Sequence, residues 1–246
     1  MRLSALIPSR FLTATPLYKR GDPRLRLCPT IAAQKDHVEV PFGMNRQDLR
    51  NILIKQTVSV IANDGLDRTT TKAIVAGTDI NEGYIYRVFR GKEDLLAAAF
   101  DSLDSALMEQ MMASLPLMLR PGVPEQECAR AFFNAVWQSL LDDRESSLAF
   151  VRYFYSPYFS RNSVEAHRAR FAPLLDALSP FFCDDADVWL ILNHILNVML
   201  FFVVKVHIGE HAASERYTEH VFRVIYQSVR QYFKHYREKE ELTRHE

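Results

Sequence analysis

The chain has 246 residues, 48% of them hydrophobic and 24% charged, with eight glycines and 30 Lys and Arg against 30 Asp and Glu. This length and apolar content suit a small head joined to a larger, well-filled body, and exclude a disordered chain, a collagen-like repeat and a loop-rich secreted scaffold. A formal net charge of zero excludes a generic polycation, yet basic residues outnumber acidic ones 7 to 3 in residues 1–43, stand at 8 to 7 in 44–96 and fall to 15 against 20 in 97–246.

Residues 1–43 hold Pro8, Pro16, Pro23, Pro29 and Pro41 among scattered arginines, and no periodicity survives between these breaks. This segment reads as a flexible basic arm, or as the product of a start called too early with Met44 as the natural beginning. Its apolar stretches are too short for a signal peptide. From Asn45 to about Ala62, Leu49, Ile52, Leu53, Val60 and Ile61 fall on one side of a helix that Gly65 stops. Thr69, Thr70 and Thr71 can cap a second, short helix that carries Ile74 and Val75 inward and ends near Gly77. Asp79 lies in the turn, Asn81 can cap a third helix, and Ile85, Val88 and Phe89 repeat at the spacing of a buried face. Gly91 breaks that helix. Lys92, Glu93 and Asp94 open a fourth, which can run to Leu115 before Pro116. Beyond Pro124 the pattern predicts helices over about 124–142, 144–159, 161–182, 185–208 and 213–238, without strands. The expected fold is all-α: a three-helix, homeodomain-like helix-turn-helix head over 44–96 and a helical bundle over 97–246 for ligand binding and dimerisation.

Two short helices about a tight turn make a rigid corner whose second helix can enter a major groove. Gly83 keeps the first turn of helix three bare, so backbone can approach DNA. Tyr86, one turn on, can hydrogen-bond a phosphate. Phe89 anchors the corner, and Lys92 brings a cation to the free amides that begin helix four. The runs G-L-D-R-T-T-T-K-A-I-V and I-N-E-G-Y-I-Y-R-V-F-R-G-K-E-D-L-L resemble the TetR-type regulators over residues 49–96, without a gap. Where that family has small residues in helix two and Gly in the turn, this chain has Val75, Thr78 and Asp79. The resemblance implies that Thr70, Thr71 and Lys72 face the DNA backbone and that Asn81, Glu82, Tyr84, Tyr86, Arg87 and Lys92 face bases or phosphates. A carboxylate such as Glu82 in the groove accepts from cytosine N4 and is repelled by phosphate, so it sharpens sequence choice at a cost in affinity.

In the body, residues 186–208 are apolar on nearly every side and long enough to span a bilayer. Asn193, His194 and Asn197 in mid-segment, with Lys205 and His207 at its end, argue instead for a helix buried between its own core and a twin subunit. The last helix, with Tyr217, Val221, Val224 and Ile225, would complete a homodimer interface from the last two long helices, as the resemblance also implies. Aromatic density in the middle, with possible polar anchors, suggests a small-molecule pocket whose candidate residues are Phe133, Trp137, Arg152, Tyr153, Tyr155, Asn193, His194 and Asn197. The bland reading of most of these residues is plain core.

Cys28, Cys128 and Cys183 are odd in number and lack any metal-ligand spacing. No metal, cofactor or membrane is expected, and a reducing cytoplasm is. Catalytic motifs such as G-x-S-x-G or H-E-x-x-H do not occur. The expectation is therefore a ligand-responsive regulator, of repressor type and not an enzyme. It would bind double-stranded DNA at a palindromic operator as a homodimer, with an effector of unknown identity tilting the helix that starts at Lys92. The alternative is a nucleoid or division-associated DNA-binding protein with the same head and no effector, which a fully packed middle would favour.

Overall fold

Asn45 opens the first helix by accepting the Asp48 N–H on its side chain at 2.9 Å, and Gly65, at φ +87°, closes it by returning its own N–H to the Ile61 carbonyl. The structure, a computed structural model, describes residues 45–237, so the arm expected over 1–43 lies outside the described residues. This helix, α1 (Arg46–Asp64), buries Leu49, Leu53, Thr57 and Ile61 at four-residue intervals. The Thr70 hydroxyl accepts the Ala73 N–H and so starts α2 (Thr71–Val75), whose Ile74 is fully buried. Gly77, at φ +80°, carries the left-handed step of the turn. Thr78 braces it by donating to the Val75 carbonyl at 2.8 Å and accepting from the Ile80 N–H at 3.2 Å. Helix α3 (Gly83–Val88) follows, capped by the Asn81 side chain on the Gly83 N–H at 3.0 Å.

The long α4 (Lys92–Ser114) leaves the head and ends in a 3₁₀ turn at Leu115–Leu117. The body then runs through α5 (Glu125–Asp142), α6 (Arg144–Phe154), α7 (Pro157–Asn162), α8 (Val164–Leu178), α9 (Val188–His207) and α10 (Glu215–Val229). Three expected helices are corrected here. The one expected over 144–159 breaks at Tyr155 and Ser156, because Pro157 drives Ser156 into extended backbone (φ −94°, ψ 160°) and starts α7. The one expected over 161–182 begins only at Val164 and gives way at Ser179–Phe181 to a 3₁₀ turn containing Pro180. The last helix also stops short, at Val229, and Phe233 instead bridges to Phe182 in the only β-type pairing among the described residues.

Head and body are not separate cores. Ile61 and Ala62 of α1 join Leu96 and Phe100 of α4 and Leu148, Ala149, Phe150 and Tyr153 of α6 in one continuous apolar cluster. Helix α9 lies at the centre of the body, packed on α5, α6, α8 and α10. Its inner face buries Ile191, Leu192, Leu196, Met199, Leu200 and Val203. It is the one helix among the described residues long and apolar enough to cross a membrane, and that inner face makes it a core helix.

Candidate functional site

Helices α2 and α3 bring their N-terminal ends to one surface of the head, where the Thr71 hydroxyl donates to the Glu82 carboxylate. Around that bond Thr70, Lys72, Asn81, Glu82, Gly83 and Arg87 are exposed, Tyr86 is 62% exposed, and Thr71 and Lys92 are half-buried. Asn81 is held by its cap on Gly83, and a Cβ on Gly83 would stand only 3.1 Å from the Asn81 side-chain oxygen. Glycine there thus keeps room for the cap as well as for close approach. Tyr84 is a correction to the expected contact set. It is only 2% exposed, in the head core beside Ile85, with the Arg87 guanidinium 5.0 Å above its ring. A helix of six residues that must bury Tyr84 and Ile85 and lead into buried Phe89 keeps few side chains for DNA, and Tyr86 and Arg87 are the ones left outward.

The head is gripped from behind by α6. The Arg152 guanidinium donates to the Ile61 and Ala62 carbonyls at 2.7 and 2.8 Å, in the last turn of α1, where Ile61 also accepts the Gly65 N–H and Arg152 supplies the donor for Ala62. Glu145 accepts from Ser59 at 2.9 Å and from Asn63 at 3.0 Å, and Arg144 donates to Asn63 at 3.3 Å. A second polar tie joins α4 to α8: fully buried Asp104 accepts from Arg170 and lies 2.8 Å from His167, while Arg170 also donates to Asp101. The His167 ring is ringed by Phe100, Phe154, Phe159, Phe171 and Trp189. Neither set was legible in the sequence, because each joins residues more than sixty positions apart.

The body contains an almost wholly apolar cavity of about 70 Å³, bounded by α4, α5, α8, α9 and α10 at the end away from the head. Leaving such a volume unfilled would cost roughly 1.7 kcal/mol of packing. Of the eight candidate pocket residues only Phe133 lines it, while Trp137 borders a second, larger and more open cleft with Gln138, Ser214 and Glu219. Trp137 is 1% exposed and stacks on Phe133 from behind. Arg152 is spent on the α1 carbonyls. Tyr153 is fully buried, stacked on Phe100 with its hydroxyl 3.2 Å from Ser163, and burial pushes its phenol pKa up. Tyr155 is exposed and donates to Asn197. Asn193 and Asn197 turn back on the α9 backbone, donating to the Trp189 and Asn193 carbonyls at 2.8 and 2.7 Å. His194 is exposed, 2.9 Å from the Ser228 hydroxyl of α10.

These polar residues lie instead along the outer face of α9. There Leu190, Phe201 and Ile208 are more than half exposed, and Leu190, His194, Asn197, Phe201, Lys205 and Ile208 follow one another at intervals of three and four. Val224 of α10, 55% exposed, adds to that apolar face.

Residues 53–99 match the profile of the bacterial regulatory proteins, tetR family. No curated protein matches the sequence. Among solved structures, a TetR family transcription regulator from Marinobacter aquaeolei VT8 superposes with a TM-score of 0.61 at 17% identity, over 75% of this chain and 97% of that one. A TetR family regulator from Shewanella sp. PV-4 gives 0.61 at 13% identity, over 73% and 97%. A fatty acid degradation regulator from Bacillus halodurans gives 0.52 at 15%, over 72% and 93%. At these identities the likeness is one of fold.

Replacing Arg152 by Leu takes the charged donor from the Ala62 carbonyl in a part-buried site. The expected loss is about 1–3 kcal/mol of stability, read as a lower urea midpoint at unchanged slope. A midpoint that does not move would show that the grip on α1 carries no load.

Proposed function

We propose that the chain, whose residues 53–99 match the tetR-family profile and whose fold is that of TetR-family regulators, is a DNA-binding transcription regulator that holds a palindromic operator as a homodimer and releases it when a small effector enters the body. The observation that carries this reading is the head surface of Thr70, Thr71, Lys72, Asn81, Glu82, Tyr86 and Arg87, joined through α1 to the helix α6. Residues 44–96 then serve as the reading domain and 97–246 as the sensing and dimerising domain, in a repressor working in the cytoplasm. Glu82, oriented by Thr71, is the residue suited to accept from a cytosine N4, while Lys72 and Lys92 supply phosphate contacts. The outer stripe of α9 with Val224 of α10 is the dimer face, since exposed apolar side chains at helical spacing are what a second copy would cover.

Coupling runs through α6 as well as α4. Phe150 and Tyr153 of α6 meet Phe100 of α4 at ring distances of 5.2 and 4.7 Å, and Arg152 between them holds α1. A shift of α6 therefore moves the head, and a coupling of only about 1–3 kcal/mol suffices for a switch. The reading without an effector, as a nucleoid or division-associated protein, has the packed aromatic middle around Phe100 and His167 in its favour. The cavity at the far end of the body speaks for the sensor.

Selection of bound fragments from random DNA is expected to return a two-fold symmetric motif. Lys72→Ala and Lys92→Ala should each weaken binding to all sequences and reduce the salt slope by about 1. Glu82→Gln should relax one base position by about 1–3 kcal/mol. An asymmetric motif, or losses no larger than those from Arg216→Ala on the body, would contradict the reading. For the dimer, sedimentation should show two copies for the native chain and a monomer for Phe201→Glu, with helical content unchanged; a native monomer would exclude this face.

A further inference from the structure

We propose that the cleft between the last turns of α5 and the first turns of α10 is a second ligand site, which takes a hydroxylated organic amine. This goes beyond the effector reading and does not depend on it. The cleft measures about 920 Å³, ample for a molecule of sugar size, and no Lys, Arg or His stands in its wall. On α10 it is faced by Glu215 and Glu219, which lie about 180° and 140° round the helix from Val224. The cleft is therefore turned away from the face given to a second copy.

Charge sets the first requirement. Glu219 is already matched, since Arg130 pairs with it and Arg223 donates to it at 2.8 Å. Asp142 accepts from the neutral Gln138 amide at 2.7 Å, and exposed Glu215 pairs with no cation among the described residues. The neighbouring cations are turned elsewhere: Arg144 donates to Asn63 at 3.3 Å, and Arg216 lies about 100° round α10 from Glu215. Asp142 and Glu215 thus leave the cleft two carboxylates that an ammonium group can answer.

The second requirement is an oxygen. Trp137, 1% exposed, stacks on Phe133 with ring centroids 5.6 Å apart and borders the cleft. Phe133 covers a face of the indole and leaves its edge, and the N–H on that edge is buried without an acceptor among the described residues. The Tyr217 hydroxyl, on a ring 6.4 Å away, is in the same condition. Native proteins seldom leave a buried donor unmatched, and the cleft is the side from which an acceptor can come. In the same wall the Asn134 amide and the Thr218 hydroxyl make no side-chain hydrogen bond among the described residues. Hydroxyls, which both donate and accept, suit all of these groups. A carboxylate also accepts, but Asp142 and Glu215 repel it.

The test uses the full chain with aminodeoxysorbitol, sorbitol, gluconate and hexylamine, which share a six-carbon chain and differ in charge and hydroxyls. Calorimetric titration gives affinity, and the indole N–H signals of the nitrogen-labelled chain report on the tryptophans. The chain has two of these, Trp137 and Trp189, and Trp137→Phe identifies which signal belongs to which. Saturable binding of aminodeoxysorbitol is expected, about tenfold tighter than sorbitol, with gluconate weaker still. It should move the Trp137 signal and leave that of Trp189 in place. Hexylamine, which has the charge and no oxygen, should bind more weakly and move neither. Asp142→Asn and Glu215→Gln, both at exposed positions, should each weaken the amine about threefold and leave sorbitol unchanged. The site is overturned by an amine that does not saturate, by sorbitol or gluconate binding as tightly, by carboxylate variants that bind the amine as well as the native chain, or by a Trp137 signal that stays in place at saturation.

Discussion

The last turn of α1 is the constraint on which the rest of this molecule depends. A helix end leaves carbonyls without partners, and burying such an end against a neighbouring domain is costly unless donors are supplied. Here α6 supplies one through Arg152, whose guanidinium reaches the Ala62 carbonyl and joins the Gly65 N–H on that of Ile61. Side chains of the same turn, Ile61 and Ala62, sit in the apolar cluster that continues through Leu96 and Phe100 into the body. The reading head is thereby seated on the body at two places, by hydrogen bonds along α6 and by packing along α4.

That double seating explains why a DNA-binding head with a three-helix core this small can be positioned accurately. The corner of α2 and α3 is built from local parts: the Thr70 and Asn81 caps, the Thr78 brace, and Gly77 at positive φ. Those parts fix the angle between the two short helices but not where the corner sits. Its position is inherited from α1, which packs on α4 and α6. An apolar cavity lies among α4, α5, α8, α9 and α10, and α9, which helps to line it, also packs on α6.

Much of the head was legible in the sequence because its determinants are local. Capping residues, glycine stops and the spacing of Ile74, Ile85 and Phe89 all act within a few positions, and they led to the observed elements within one or two residues. Tyr84 escaped because a six-residue helix leaves periodicity no room to separate an inward tyrosine from the outward Tyr86. The break at Ser156 was signalled by Pro157 and masked by the aromatic run on either side of it. In the body the kinds of residue were right and their partners were not. An arginine and two asparagines beside aromatic side chains suit a polar pocket, but the arginine serves a helix end some ninety residues away and the asparagines serve their own backbone. Long-range pairing of this kind leaves no periodic trace. The cavity has none either, since it is made by how α5, α9 and α10 fail to fill the space between them.

The most direct measurement of the seating of the head is native-state hydrogen exchange, read residue by residue. If α1 and the body share one core, the amides of Leu53, Thr57 and Ile61 should open with the same free energy as those of Leu200 and Val203 in α9, within a few tenths of a kcal/mol. Exchange of the α1 amides through a separate opening several kcal/mol easier than that of α9 would contradict the account.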